Sequence, residues 1–185
     1  TTVALITDGR FSGASRGASI EKLKLKTHKN KPDGVIIYAL YGPKRDKVVM
    51  VRQYRFSVDD YVYEFPAGLV EPGEAMTDAA VREFHEETGL HLQVIPADDM
   101  YTKPRFTTVG MTDEACGMVY GYASGVPDNR FEESSEDIQV VLADKKEVRR
   151  ILKEENVAMM CAYMLLHFLK SEGDPLGFVE MQEKR

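Results

Sequence analysis

Between Glu74 and Leu90 the chain carries Arg82-Glu83-Phe84-His85-Glu86-Glu87, a guanidinium followed closely by three carboxylates. In a helix, Glu83 and Glu87 stack at i, i+4, and Glu86 lies one turn from Glu83 beside that pair. Ala80 and Phe84 border them with an apolar stripe, so partial screening from water is expected. Like charges at this spacing cost an isolated helix about 0.2–0.5 kcal/mol per pair, and partial burial raises that cost. A hard divalent cation with oxygen ligands would offset it. Mg²⁺ suits such a cluster because it keeps positions for water and substrate phosphate. Arg82, at i, i+4 from Glu86, can hold that side chain in one orientation. The plainer alternative is a solvated acidic helix face. A structural Ca²⁺ site is a third reading, but no EF-hand spacing is present.

These side chains need a helix and a rigid approach to it. Met76, Ala80 and Phe84 at i, i+4 steps predict a helix over 76–88, and Gly89 stands where a C′ glycine stops one. Before it runs a loop punctuated by Gly68, Pro72 and Gly73 that carries Glu74. Strands are predicted at 35–40 and 47–53, separated by a turn through Gly42-Pro43, and at 61–65, ended by Pro66 and Gly68. Further strands are expected at 91–95, 115–122 and 139–142. Asp144 can then cap a charged helix to about Lys153, and Asn156 a more apolar one to Leu169. Strands with a few helices and no regular βαβ alternation predict a mixed sheet with helices packed on it.

Composition narrows the function classes. At 185 residues and 43% apolar content, one domain with a substantial core is expected. A net charge of −6 argues against a nucleic-acid surface, and it requires metal ions or a few placed arginines to receive an anionic substrate. Cys116 and Cys161 have no partner at metal-ligand spacing and read as reduced cysteines. No signal-peptide order is present at the N-terminus, and the longest apolar stretch, 157–169, is too short for a bilayer. A cytoplasmic protein without membrane or nucleic-acid partners is expected.

The stretch 68–90 matches G-x5-E-x7-R-E-U-x-E-E-x-G-U, with U a bulky apolar residue, at every defined position: Gly68, Glu74, Arg82, Glu83, Phe84, Glu86, Glu87, Gly89 and Leu90. This is the Nudix box, and the chain from about Glu21 to Leu169 resembles a Nudix hydrolase. The resemblance implies an α/β fold, an α/β/α sandwich around a mixed β-sheet. It also implies roles. Glu83 and Glu87 should bind Mg²⁺ (or Mn²⁺ as a substitute), with the backbone carbonyl of Ala67, while Glu86 should hold a metal or its bound water. Gly68, Glu74, Arg82 and Gly89 look like structural supports.

The approach Val51-Arg52-Gln53-Tyr54-Arg55 and Glu64-Phe65-Pro66-Ala67-Gly68 resembles the ADP-ribose pyrophosphatase branch. There the arginine corresponding to Arg55 contacts the diphosphate, and the position of Glu64 lies near the substrate. A forked guanidinium at a strand end suits a diphosphate oxygen. Gly110 and Glu114 fit a family loop that contributes a substrate or metal contact. Val109 stands where that loop usually has the proline of the ADP-ribose type, which leaves other sugar nucleotides open. As catalytic base or extra metal ligand, members of that branch often use an acidic residue in the loop before the last strand. Glu136 fits that place, and Glu133 stands in for the further glutamate that some relatives carry where this chain has Ser134. The implied reaction is hydrolysis of ADP-ribose or a related nucleoside diphosphate sugar to a nucleoside monophosphate and a sugar phosphate, by a homodimer. Hydrolysis of GDP-mannose, UDP-glucose or a dinucleoside polyphosphate, and a catalytically silent nucleotide-sugar sensor, are the alternatives.

Residues 1–20 differ from the expected Nudix domain at 21–185. Thr7-Asp8-Gly9-Arg10-Phe11-Ser12-Gly13 resembles a signature of the dihydroxy-acid dehydratase family. That enzyme needs a chain several times longer and an iron–sulfur site, so no activity is carried over from it.

Overall fold

The computed structural model describes residues 31–128 and 138–180. Eight strands form one sheet: β1 (Gly34–Tyr41), β2 (Lys47–Arg55), β3 (Asp60–Glu64), β4 (Ala67–Leu69), β5 (His91–Val94), β6 (Arg105–Phe106), β7 (Ala115–Ser124) and β8 (Ile138–Asp144). The helices are α1 (Met76–Thr88), α2 (Asp99–Thr102), α3 (Lys145–Glu154), α4 (Met159–Lys170) and α5 (Gly177–Glu180). β1 and β7 run parallel while the other strand pairs are antiparallel, so the sheet is mixed as expected.

Period-two alternation along β1 sets the layers. Val35, Ile37 and Ala39 face one side and join Ala79, Ala80, Phe84 and Leu90 in a core beneath α1. Tyr38 and Leu40 face the other side and join Ile151, Leu165 and Phe168 of α3 and α4. Both faces are covered by helices, the α/β/α arrangement. Phe84 is fully buried and anchors α1, and truncating such a side chain to alanine costs about 3–5 kcal/mol.

The β1–β2 hairpin turns through Gly42, at φ 88°, and pairs through Leu40↔Val48 and Tyr41↔Lys47. Farther along, the two strands take different neighbours. β4 flanks β1 at Ile36↔Ala67 through Gly34↔Leu69, whereas β3 and β8 flank β2. This splay leads the chain from β3 through Pro66 directly into the loop before α1.

Some expectations change in detail. Ala67–Leu69 forms a strand where the sequence suggested only a break after residue 65. β2 extends to Arg55, β7 extends to Ser124, and β5 stops at Val94. Asp144 caps α3, accepting from the N–H groups of Lys146 and Glu147 at 2.8 Å each. Asn156 does not cap α4, whose N-cap position is Ala158. Instead its amide donates to Asp60 Oδ2 at 2.9 Å and to the Tyr61 carbonyl at 3.3 Å, and its own carbonyl accepts from Tyr63 N. Those bonds tie the α3–α4 connection to β3, a partner far away in sequence. Cys116 and Cys161 are not joined in a disulfide. Among the described residues no helix is long and apolar enough to cross a membrane.

Candidate active site

The site is built where β4 meets α1. α1 ends at Gly89, whose φ of 68° lies in the left-handed region, and its N–H closes on the His85 carbonyl at 2.8 Å. The backbone of Asp128 crosses so close that a Cβ on residue 89 would meet it at 2.7–2.8 Å. Glycine is therefore required here both for conformation and for space. Thr88 fixes the same corner, accepting from Leu90 N at 3.1 Å.

With α1 so placed, Glu83, Glu86 and Glu87 see different surroundings. Glu87 is buried to 8% exposure and accepts a hydrogen bond from Ala67 N at 3.1 Å. Glu83, with 16% of its side chain exposed, lies in the space above Gly68. A Cβ on residue 68 would fall 1.7 Å from Glu83 Cδ and 2.1 Å from its Oε2. Gly68 thus leaves a cradle that a carboxylate fills. Glu86 is half exposed.

Arg82 organises the rim. Its Nε and Nη2 donate to the two oxygens of Glu74 at 3.0 and 2.9 Å, and Nη2 also reaches the Leu69 carbonyl at 3.1 Å. Nη1 lies 3.0 Å from Glu83 and 3.3 Å from Glu86. The expected Arg82–Glu86 contact is present, and Glu83 shares the same nitrogen. Glu74 sits in a tight turn through Gly73, at φ 90°, and its carboxylate accepts from Glu71 N at 2.9 Å. The Arg82 hydrogen bonds, aided by that amide, hold the Glu74 carboxyl below its usual range against the smaller opposing effect of burial, while Glu74 raises Arg82 further above its ordinary value.

The other expected residues that the structure describes make contacts of their own. Arg55 and Glu64 engage each other across β2 and β3, Nε to Oε1 at 3.2 Å and Nη2 to Oε2, with 22% and 20% of their side chains exposed. Glu114 accepts from the Thr107 hydroxyl at 2.7 Å within its own loop. Glu133 and Glu136 lie outside the described residues, as do residues 1–20. β8 begins at Ile138 opposite Gln53, near the Arg55 end of β2.

Asp33 belongs to no motif, and its spacing gives no sign of a role. Its carboxylate accepts from Ala115 N at 2.9 Å, its N–H donates to the Ala115 carbonyl at 2.8 Å, and its carbonyl accepts from Val70 N at 3.1 Å. One residue thus ties the box loop to the start of β7, immediately after Glu114. The partners lie far apart in sequence, so only the fold reveals the role.

Among the described residues no three His, Cys, Asp or Glu side chains converge on a common point as a metal cage would require. In this arrangement Glu83 and Glu86 instead share the Arg82 guanidinium as their cation. The donor set nevertheless fits a hard divalent ion: carboxylates on one helix face, two of them substantially buried, with the Gly68 cradle leaving Glu83 room.

The NUDIX domain family model matches residues 30–160. The chain belongs to the NUDIX family. Within that family it is similar to a Caenorhabditis elegans protein named as a nudix hydrolase, 36% identical over 61% of this chain and 52% of the relative. It is 40% identical to the ADP-sugar pyrophosphatase of Mus musculus over 37% of this chain and 33% of that protein. It is 27% identical to the ADP-ribose pyrophosphatase of Escherichia coli K12 over 70% of this chain and 64% of the relative. The chain thus spans between a third and about two thirds of the length of these relatives. A NUDIX-family hydrolase structure from Clostridium perfringens shares the fold, with a TM-score of 0.52 at 16% identity over 76% of this chain and 97% of that one.

Proposed function

We propose that this NUDIX protein hydrolyses the diphosphate bond of ADP-ribose or a related nucleoside diphosphate sugar, with Mg²⁺ bound by Glu83, Glu86, Glu87 and the Ala67 carbonyl. The observation that carries the reading is the fit of Glu83 into the Gly68 cradle beside the Ala67–Glu87 hydrogen bond, which sets two box carboxylates against consecutive residues of the loop. Names of relatives point to the same substrate class, ADP-ribose and ADP-sugars. The reading includes a homodimer in the cytoplasm.

Bound divalent metal supplies charge neutralisation at the diphosphate and lowers the pKa of a water. The chain supplies the rest. Arg82 holds Glu83 and Glu86 in register with Glu74 and the loop carbonyl of Leu69, so the carboxylates meet the substrate pre-oriented. Arg55 donates its fork to a diphosphate oxygen once Glu64 releases it, and Glu64 stays beside the substrate. Glu136 or Glu133 takes the proton from the attacking water. The products are a nucleoside monophosphate and a sugar phosphate.

The test is a panel of nucleoside diphosphate derivatives with Mg²⁺, read by phosphate released after phosphatase treatment. Release from ADP-ribose above the other members is expected. Preferred turnover of GDP-mannose or UDP-glucose would overturn the substrate while keeping the chemistry, and turnover of none would favour a nucleotide-sugar sensor.

A further inference from the structure

A second charged feature lies at the opposite end of the sheet from the box. The box loop pairs with the start of β1, at Gly34–Ile36, whereas the β1–β2 turn and the end of β8 stand at its finish. Along an eight-residue strand that separation is roughly 20 Å. There a cavity of ≈ 420 Å³ opens between the hairpin turn, the first turns of α3 and the segment after α4. Lys44, Arg45, Lys145, Lys146 and Arg149 all line it, in a chain whose net charge is −6.

The acids at the cavity offset only part of this charge, five cations standing against Asp46, Asp144 and the Asp174 that pairs with Arg45. Asp46 and Asp144 are the two in its wall. Asp144 is committed to capping α3, and the Glu147 and Lys146 amides hold its carboxyl below the usual range. Arg45 is fixed by stacking 3.5 Å over the Tyr122 ring and by pairing with Asp174 at 2.6 Å. Lys145 donates to the Ser171 carbonyl at 2.6 Å, and Arg149 donates to the Lys145 carbonyl at 3.1 Å. Carbonyl partners orient these cations without neutralising them. Among the described residues Lys44, Lys145, Lys146 and Arg149 form no ion pair.

Local energetics also disfavour this arrangement in the absence of a ligand. Asp144 and Glu147 supply acids at the start of α3, but Lys145 and Lys146 share its first turn, the positive end of the helix dipole, where cations are disfavoured. Lys145 and Arg149 are a like-charged i, i+4 pair. An anion between the turn and the helix relieves both costs at once.

We infer that this cavity binds a small phosphorylated anion, at a site separate from the NUDIX box. Two walls of cations facing a space of this size suit a phosphate or diphosphate group, since guanidinium gives forked donors and ammonium a point charge. A cavity in the range that holds small-molecule ligands leaves room for whatever carries the phosphate.

The test is calorimetric titration of inorganic pyrophosphate into the full chain in metal-free buffer, where the acidic box repels the anion. Saturable binding at one site is expected, and the Lys146→Ala/Arg149→Ala double variant should weaken it about tenfold or more. Lys44→Ala, on the exposed turn, should weaken it without touching α3. Absence of saturable binding overturns the inference. So does equal weakening by Lys31→Ala/Lys103→Ala, a pair of exposed lysines outside the cavity, because that outcome marks general charge attraction.

Discussion

Arg82 holds Glu74 with two hydrogen bonds, at 3.0 and 2.9 Å, and so joins the middle of α1 to the turn before it. The same guanidinium reaches Glu83, Glu86 and the Leu69 carbonyl. No other group could meet this geometry with equal economy, because five donors in one plane are needed to span a helix face, a turn and a strand end. Arg82→Lys keeps the charge and loses the fork. Its kcat/KM should fall about 10–100-fold with secondary structure retained, as measured by steady-state kinetics beside circular dichroism. Unchanged kinetics would remove the positioning role.

The Arg82–Glu74 pair also predicts a pH dependence. Because the folded Glu74 carboxyl lies below its usual range, the folded state binds fewer protons than the unfolded chain as pH falls past about 4.3. Its contribution to stability is therefore present above that pH and is lost as pH drops through the lowered folded value. Thermal melts between pH 7 and 3 should show wild type losing Tm faster than Glu74→Gln over the acidic part of that range.

Glu87→Gln separates charge from hydrogen bonding. The amide oxygen can still accept from Ala67 N, so Tm should stay close to that of wild type. Loss of the anionic oxygen should lower Mg²⁺-dependent turnover by about 100-fold. A variant with full turnover would show that Glu87 is not a ligand.

Gly68→Ala tests the cradle. Its new Cβ would fall 1.7 Å from Glu83 Cδ, so the carboxylate must move aside. The displaced group is the end of a flexible side chain, which keeps the folding cost small. Turnover should fall about tenfold or more and apparent Mg²⁺ affinity should weaken, read by activity across a Mg²⁺ titration against a thermal melt. Equal losses of Tm and activity would indicate a general folding defect instead.

Arg55→Lys addresses the substrate side. A lysine cannot reproduce the two-pronged contact that Arg55 makes with Glu64, nor one to a diphosphate. KM should rise about tenfold with kcat changed far less, as measured with the preferred substrate of the panel. A fall confined to kcat would place Arg55 in a different role.

Local spacing alone determined α1 and its carboxylate face. Met76, Ala80 and Phe84 predicted the apolar stripe, and Gly89 predicted the stop, because helix geometry depends on neighbours three and four residues away. Asp144 was legible as the α3 cap for the same reason. Tertiary structure decided whatever depends on distant partners. Ala67–Leu69 becomes a strand only because Gly34–Ile36 lies alongside it, and that pairing brings Gly68 under Glu83 and Ala67 N onto Glu87. Asn156 turns to β3 instead of capping α4, since Asp60 and Tyr61 offer it partners there. The pairing of Arg55 with Glu64 and the three ties of Asp33 arise in the same way. Even the distal basic cavity exists only because the sheet brings residues 44–45 against 145–149. Sequence spacing fixes which side chains share a helix face, and strand pairing fixes what that face meets.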